Sequence, residues 1–395
     1  MTVLTTSAGQ LAARSTSRAA GFRVELLRDW KQVLARWHDI SPFTPFQHPQ
    51  WYDAWYAAFA GAEGIEPLIA VVTDTSTGEP AVLLPLIRRE QDNIAIVEFA
   101  DLDLTDYNAP ILGSAAPCDA RAARMLWRSL LSALRRMPEK ADLIRLRKVP
   151  VDLDGRPNPL ALLGAGGPCA LNGNLVTSGE DYDAWRHTLG RTVRKELERN
   201  WRVFTRDPAA SFAIITDTSE ALRILSITEV QQGERMQSLG LNYILNDETC
   251  AAFYRNLVRD GVGNGYALVS VLTVGDEVVA TLLGIRTGSR YVMIRISNAG
   301  EKWSNCSPGR LIIERTMAAL HRDGVREFDF SVGNYAYKRR FGVTRLPLID
   351  ISAALSWRGW PYALRDRVVR ALRNYPRLDA WLRHALGKPL SREEN

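Results

Sequence analysis

Apolar positions along the chain change period repeatedly, and the changes mark out short strands and amphipathic helices. Alternation over residues 22–26 predicts a first strand, and Trp30, Val33, Leu34 and Trp37, spaced i, i+3, i+4 and i+7 behind Asp29, predict a capped helix. A Pro/Phe-rich loop at 41–48 leads into a second helix, with Pro49 in its first turn and Trp51, Trp55, Tyr56 and Phe59 on one face. Strands are predicted at 67–73, 80–88 and 93–99, a helix at about 119–136 and a strand at 142–147. The segment 151–168, with several Pro and Gly, reads as an inserted loop.

From Asp181 to Asp207 the pattern predicts one long basic helix, stopped by Pro208. A strand at 212–216, helices at 219–238 and 247–260, and strands at 267–274, 277–287 and 290–297 follow. Gly275-Asp276 and Thr287-Gly288-Ser289 supply the turns between those three strands. A helix at 309–323 and a strand at 326–331 close the series. The first half shows a rougher version of the same order. The expectation is an α/β (α+β) protein of two tandem units, each a mixed, mainly antiparallel twisted sheet flanked by helices. The expected divisions are a disordered tail at 1–20, an N-terminal unit at 21–180, a C-terminal unit at 181–356 and a basic amphipathic helical tail at 357–395.

Composition narrows the class. A chain of 395 residues exceeds a single ordinary core of about 150 residues. The hydrophobic share of 46% and charged share of 24% are those of a soluble globular protein. No apolar run approaches the roughly 18 residues that span a bilayer. Four scattered cysteines without a Cys-x-x-Cys pair point to a reducing cytoplasm, and the five histidines show no metal-ligand spacing. No metal is expected. Residues 357–390 carry eight lysines and arginines against two aspartates, with Leu364, Val368, Leu372 and Tyr375 on one helical face. Such a helix either packs back on the second unit or lies peripherally on an anionic membrane.

The chemistry concentrates between Ser307 and Gly342. Ser307, Gly309, Arg310 and Leu311 open a helix, whose free N–H groups and dipole suit a phosphate or pyrophosphate. Asp329 alternates with Phe328 and Phe330 on the next strand, and so faces away from them, as a general base or as the partner of a cation. Tyr337 and Lys338 follow a glycine turn and offer an acid and a charge anchor, or a solvated basic turn together with Arg339 and Arg340. On the helix at 181–207, Arg191, Lys195, Arg199, Arg202 and Arg206 share one face, an anion-binding stripe or a solvated one. Without a recognised nucleic-acid module, nucleic acid is not an expected partner.

Phe328-Asp329-Phe330, Gly333 and Tyr337-Lys338-Arg339-Arg340-Phe341-Gly342 together resemble the signature of the CelD-like acetyltransferases of cellulose and exopolysaccharide biosynthesis, within the GNAT superfamily and related to the FemAB-type aminoacyl transferases. Thr44-Pro45-Phe46-Gln47-His48-Pro49-Gln50-Trp51 with Trp55, and Asp106-Tyr107-Asn108-Ala109-Pro110, resemble that family's N-terminal and central segments. The resemblance covers roughly residues 22–350. It implies two tandem GNAT-like units and acetyl-CoA as the donor co-substrate. It also implies a small-molecule or saccharide acceptor between the units, contacted by Trp51, Asp106, Tyr107 and Arg339. Asp329, Tyr337 and Lys338 would be catalytic. A non-catalytic scaffold of a polysaccharide-synthesis complex and a FemAB-like aminoacyl transferase remain as alternatives.

Overall fold

The computed structural model describes residues 21–35, 37, 44–240, 243, 247–333 and 335–373. The tail expected at 1–20 lies outside the described residues. The chain opens with β1 (Phe22–Leu27), α1 (Trp30–Leu34), α2 (Pro49–Phe59), β2 (Ile65–Asp74), β3 (Pro80–Gln91), β4 (Ile94–Phe99) and β5 (Ile111–Leu112). Helix α3 (Ala120–Arg135) starts at Asp119, whose carboxylate accepts from the N–H groups of Arg121 and Ala122, and it buries Ala123, Leu126, Leu130 and Leu134 along one stripe. Strand β6 (Leu143–Pro150) follows.

Segment 151–168 is more structured than its Pro and Gly content suggests. It holds a hairpin of β7 (Asp152–Leu153) and β8 (Arg156–Pro157), and the short strand β9 (Gly167–Pro168). Next comes β10 (Gly173–Thr177), which the hydrophobic pattern did not reveal. The long basic helix is in fact two, α4 (Tyr182–Thr188) and α5 (Arg191–Phe204). Leu189 and Gly190 take extended ψ values of 145° and 141° and break the hydrogen-bond ladder.

The second unit continues with β11 (Ala210–Ile215), α6 (Thr218–Ser238), α7 (Glu248–Gly261), β12 (Ala267–Val274), β13 (Glu277–Thr287) and β14 (Arg290–Asn298). It closes with α8 (Pro308–Arg322), β15 (Glu327–Asp329), α9 (Ala336–Arg339), β16 (Thr344–Leu346), β17 (Leu348–Ala354) and α10 (Trp360–Arg373).

Two sheets result. Their strand orders are β1-β2-β3-β4-β6-β17-β9, with β5 beside β3, and β11-β12-β13-β14-β15-β10-β16. Position by position the two orders match. Each has one parallel pair at the same place, β4 with β6 and β14 with β15, and antiparallel ladders elsewhere. The expected repeat of two units is therefore present, with an exchange. Strand β17, far along the chain, completes the first sheet, and β10, which precedes the second unit, completes the second. The expected boundary at 180/181 thus does not separate the sheets: β10 falls before it and β17 after it.

The units share a core. Helix α2 packs on α7, with Trp51 edge-on to Phe253 at 4.9 Å and to Phe46 at 4.8 Å. Tyr266 donates to the Pro45 carbonyl at 2.7 Å and stacks on His48. Trp51 and Trp55 are fully buried, and Trp51 Nε1 donates to Thr105 Oγ1. The aromatic N-terminal motif is inter-unit packing, a correction to Trp51 as an acceptor contact. Large aromatic rings at that spacing give the most burial per residue, so the interface uses them.

Candidate active site

Strands β14 and β15 run parallel for only three residues, Arg290–Val292 against Glu327–Asp329. Directly beyond, Ile294 is the extra residue of a bulge between Met293 and Arg295, and β14 continues to Asn298 on the β13 side. The two parallel strands therefore part, and the side chains at the fork face the first unit.

Asp329 sits at the fork. Phe328 and Phe330 enter the core of the second unit, and Asp329 points the other way, as the alternation predicts. It is 0% exposed. It accepts from Tyr107 Oη at 2.7 Å, from Arg290 Nη2 at 2.6 Å and from the Ser331 N–H at 2.8 Å. Arg290 also lies over the Tyr107 ring, 5.9 Å from its centroid. A carboxylate so fully engaged is a hub that ties the units together, and its lone pairs are not offered to a substrate. Asp329 as general base is thereby corrected to a structural partner of a cation. Tyr107 likewise serves this hub; it is buried, and burial together with the Asp329 charge raises its phenol well above the ordinary range.

Gly173 of β10 makes room for that tyrosine. A Cβ on Gly173 would fall 2.4 Å from Tyr107 Oη and 2.7 Å from its ring. Gly173→Ala is expected to destabilise the protein by about 1–3 kcal/mol, as overpacking does. Urea unfolding of the pair of proteins checks it, and equal midpoints would contradict this packing.

Asp106, next to the hub, is different. Only partly buried by its surface exposure, it has its pKa pushed up to about 7, first by desolvation, then by the charges of Asp101 and Asp329 against the opposing pull of Lys148 and Lys338. Lys148 itself is committed to Asp101 at 2.8 Å. Asp101 and Asp103, the other acids of this stretch, are respectively buried against Lys148 and exposed.

Lys338, on α9, is 3% exposed. Its Nζ donates to the Val332 carbonyl at 2.7 Å and lies 5.1 Å from the Tyr335 ring centroid. Desolvation lowers its pKa to about 8, with Asp106 and Asp329 holding it up. Tyr337 stacks on Tyr335, and burial pushes its phenol up to about 12. Set beside a thiol near 8.5, the lysine is the matched acid and the phenol is not. Arg339 is exposed on α9.

The turn that carries the acceptors of Lys338 is unusual. Ser331 has φ +65°, a left-handed conformation that a non-glycine residue adopts only when held there. Asn174 of the exchanged strand β10 holds it, donating to the carbonyls of Ser331 at 2.8 Å and Gly333 at 2.9 Å. Past the bulge, Arg295 lies over the Tyr254 ring at 4.6 Å and donates to Gln232 Oε1 and Tyr243 Oη, both at 2.6 Å. Tyr254 lies in the fields of both Arg295 and Asp106. Ser331, Asn174, Arg290 and Arg295 escaped the sequence reading, because each acts through residues brought close only by the sheet.

The helix start at 307–311 is less open than its letters suggest. Pro308 has no N–H, and the N–H groups of Arg310 and Leu311 both donate to the Ser307 carbonyl. Leu311 is a fully buried core residue, which corrects its place in a cofactor loop. Arg310 pairs with Glu196 at 2.6 Å and donates to Ser307 Oγ at 2.8 Å, and Arg340 shares the same Glu196 at 2.8 Å. Gly309 borders Ile296 and Asn298 of β14 with space to spare. Helix α5 packs here, with Arg199 donating to the Asn305 carbonyl, so its basic face adjoins the start of α8. The cluster keeps more cations than anions, but its first-turn amides are mostly used.

The model of the acetyltransferase (GNAT) domain family matches residues 191–339, which include this fork, α8 and Lys338. The crystal structure of FemX is similar in fold, with a TM-score of 0.57 at 12% identity over 86% of this chain and 98% of that one. A conserved protein of unknown function from Bacteroides thetaiotaomicron follows at 0.51 and 10%, over 84% and 100%. A tandem GNAT protein from the clavulanic acid biosynthesis pathway aligns at 0.47 and 12%, over 85% and 99%. No curated protein matches. Residues 191–339 thus carry a GNAT-type domain, and the strand order of its sheet recurs in the first unit.

Proposed function

We propose that the protein is an acyltransferase that moves an acetyl group from acetyl-CoA to an amine or hydroxyl of a saccharide acceptor, as the CelD-like resemblance implies, in the groove between its units. The observation that carries this reading is that Asp106, next to Tyr107 of the first unit, and Lys338 of the second, whose Nζ donates to Val332 just past Asp329, lie in each other's fields beside the fork, with burial displacing both towards neutrality. The acceptor's nucleophilic atom attacks the thioester carbonyl and loses its proton to Asp106. The Lys338 ammonium stabilises the developing oxyanion and then protonates the leaving thiolate. Arg310, Arg340 and the N–H of Gly309 would meet the donor's phosphates.

A second reading, transfer of an aminoacyl group from a charged RNA, is favoured by the start of α8, where Glu196 already neutralises Arg310 and Ser307 takes two of the amides. Calorimetric titration with acetyl-CoA separates the two. Binding that Gly309→Asp weakens by tenfold or more supports the first, since a Cβ there makes only ordinary contacts and the new carboxylate repels phosphate. A folded wild type that ignores millimolar acetyl-CoA but retains charged RNA on a filter, in a salt-dependent manner, overturns it in favour of the second.

A further inference from the structure

Helix α10 leaves most of its large apolar residues exposed. It docks on the first sheet, against β17, β9 and β6, through ion pairs and hydrogen bonds beside a small apolar contact of Tyr362 and Ala363 with Ile94, Ile96 and Leu143. Asp366 pairs with Arg145 at 2.8 Å, Arg370 donates to Ser352 Oγ at 2.8 Å, and Arg373 pairs with Asp350 at 2.9 Å. Arg370 is its one buried residue. A row of apolar residues faces outward: Trp357 before the helix is 84% exposed and Trp360 61%, with Leu364 and Val368 continuing the row at helical spacing. The helix packs on the first sheet and not on the second unit, and it turns Arg370 inward while Arg365 and Arg367 stay exposed. An ordinary surface helix buries its apolar stripe. One that anchors itself by ion pairs and presents tryptophans needs a cover from outside.

Charge identifies the cover. Arg365 and Arg367 flank the exposed row, and residues 357–390 carry a large basic excess. Beside the row, a cavity of about 550 Å³ lies between α10 and the loop Gly164–Pro168, lined by Trp360, Leu364, Arg367 and Arg370. Arg370 meets a hydroxyl there and not a carboxylate. Apolar and cationic walls in one opening suit an amphiphile with an anionic head. None of the described helices is long and apolar enough to cross a membrane, so the fit is to a surface.

We propose that α10 and the glycine-containing loop beside it dock the protein on an anionic phospholipid bilayer, with Trp357, Trp360, Leu364 and Val368 entering the interface and Arg367 meeting the phosphate headgroups. Aromatic and aliphatic burial supplies the hold, and the arginines select the charge.

Co-sedimentation of the full chain with vesicles tests it. Vesicles of phosphatidylcholine and phosphatidylglycerol in equal parts are expected to bind, those of phosphatidylcholine alone to bind at least about tenfold less, and salt to release the protein. The double change Trp357→Ala/Trp360→Ala, on exposed positions, is expected to keep the wild-type melting temperature and lose binding about tenfold or more. Arg367→Glu is expected to weaken binding to the mixed vesicles alone. A wild type that stays in solution with the mixed vesicles, or variants that bind as it does, would overturn the proposal. So would a dimer, seen by sedimentation velocity and lost in the tryptophan variant, in a protein that ignores both vesicles; the face would then belong to a second copy. None of these outcomes depends on acyl transfer.

Discussion

Asparagine at position 106 is expected to lower kcat/KM for acyl transfer by about 10²–10⁴-fold, the usual worth of a positioned general base, while leaving the protein folded. The asparagine keeps the shape of Asp106 and removes a carboxyl that desolvation already disfavours as an anion. In the wild type, activity is expected to rise as pH passes about 7, where Asp106 loses its proton, and to fall above about 8, where Lys338 loses its charge. The rising limb should vanish in Asp106→Asn.

Stability carries an independent sign. The folded-state pKa of Asp106 is raised above its unfolded value, so the native protein holds this proton longer, and stability declines as pH climbs from about 4 to about 7. Lys338, lowered, acts oppositely, with stability recovering between about 8 and 10.5. Urea unfolding against pH should show a shallower decline below neutrality in the variant. A variant with wild-type activity would remove Asp106 from the chemistry and with it the main support for the proposed mechanism.

How much of this was legible in the sequence follows from the range of the interactions concerned. The elements from β11 to β15 have near-complete periodic patterns with turn residues between them, and they form within a few residues of where the pattern puts them. The exchanged strands were invisible for the same reason in reverse. β10 is five residues that begin with Gly173, and β17 gains its meaning only from the distant β6. Alternation correctly aimed Asp329 away from the core, but nothing local announced that Tyr107, 222 positions earlier, and Arg290 would meet it. The same long-range meeting leaves Asp106 as the available acid. Two carboxylates that look alike in the letters thus divide into one paired and one poised.

Asp329→Asn is expected to be the most damaging single change to stability. Removing one partner of a buried ion pair leaves the Arg290 guanidinium, only 14% exposed, with the more distant Glu327 at 3.9 Å as its remaining anion, at a cost of about 3–5 kcal/mol. Tyr107→Phe removes a hydrogen bond to a charged acceptor, worth about 1.5–3 kcal/mol. Because both act on one carboxylate, a double-mutant cycle should give less than their sum. Urea unfolding of the four proteins measures it, and additive losses would show that the hub is not shared.

A kinetic readout distinguishes this from direct catalysis. If Asp329 were the base, the asparagine variant would retain its fold and lose turnover at every pH. As a hub whose charge raises the pKa of Asp106, its neutralisation should move the rising limb of the pH profile to lower pH in whatever fraction remains folded. That downward shift requires Asp106 and Asp329 to lie in one electrostatic site, and a purely structural Asp329 remote from the chemistry would leave the limb where it was.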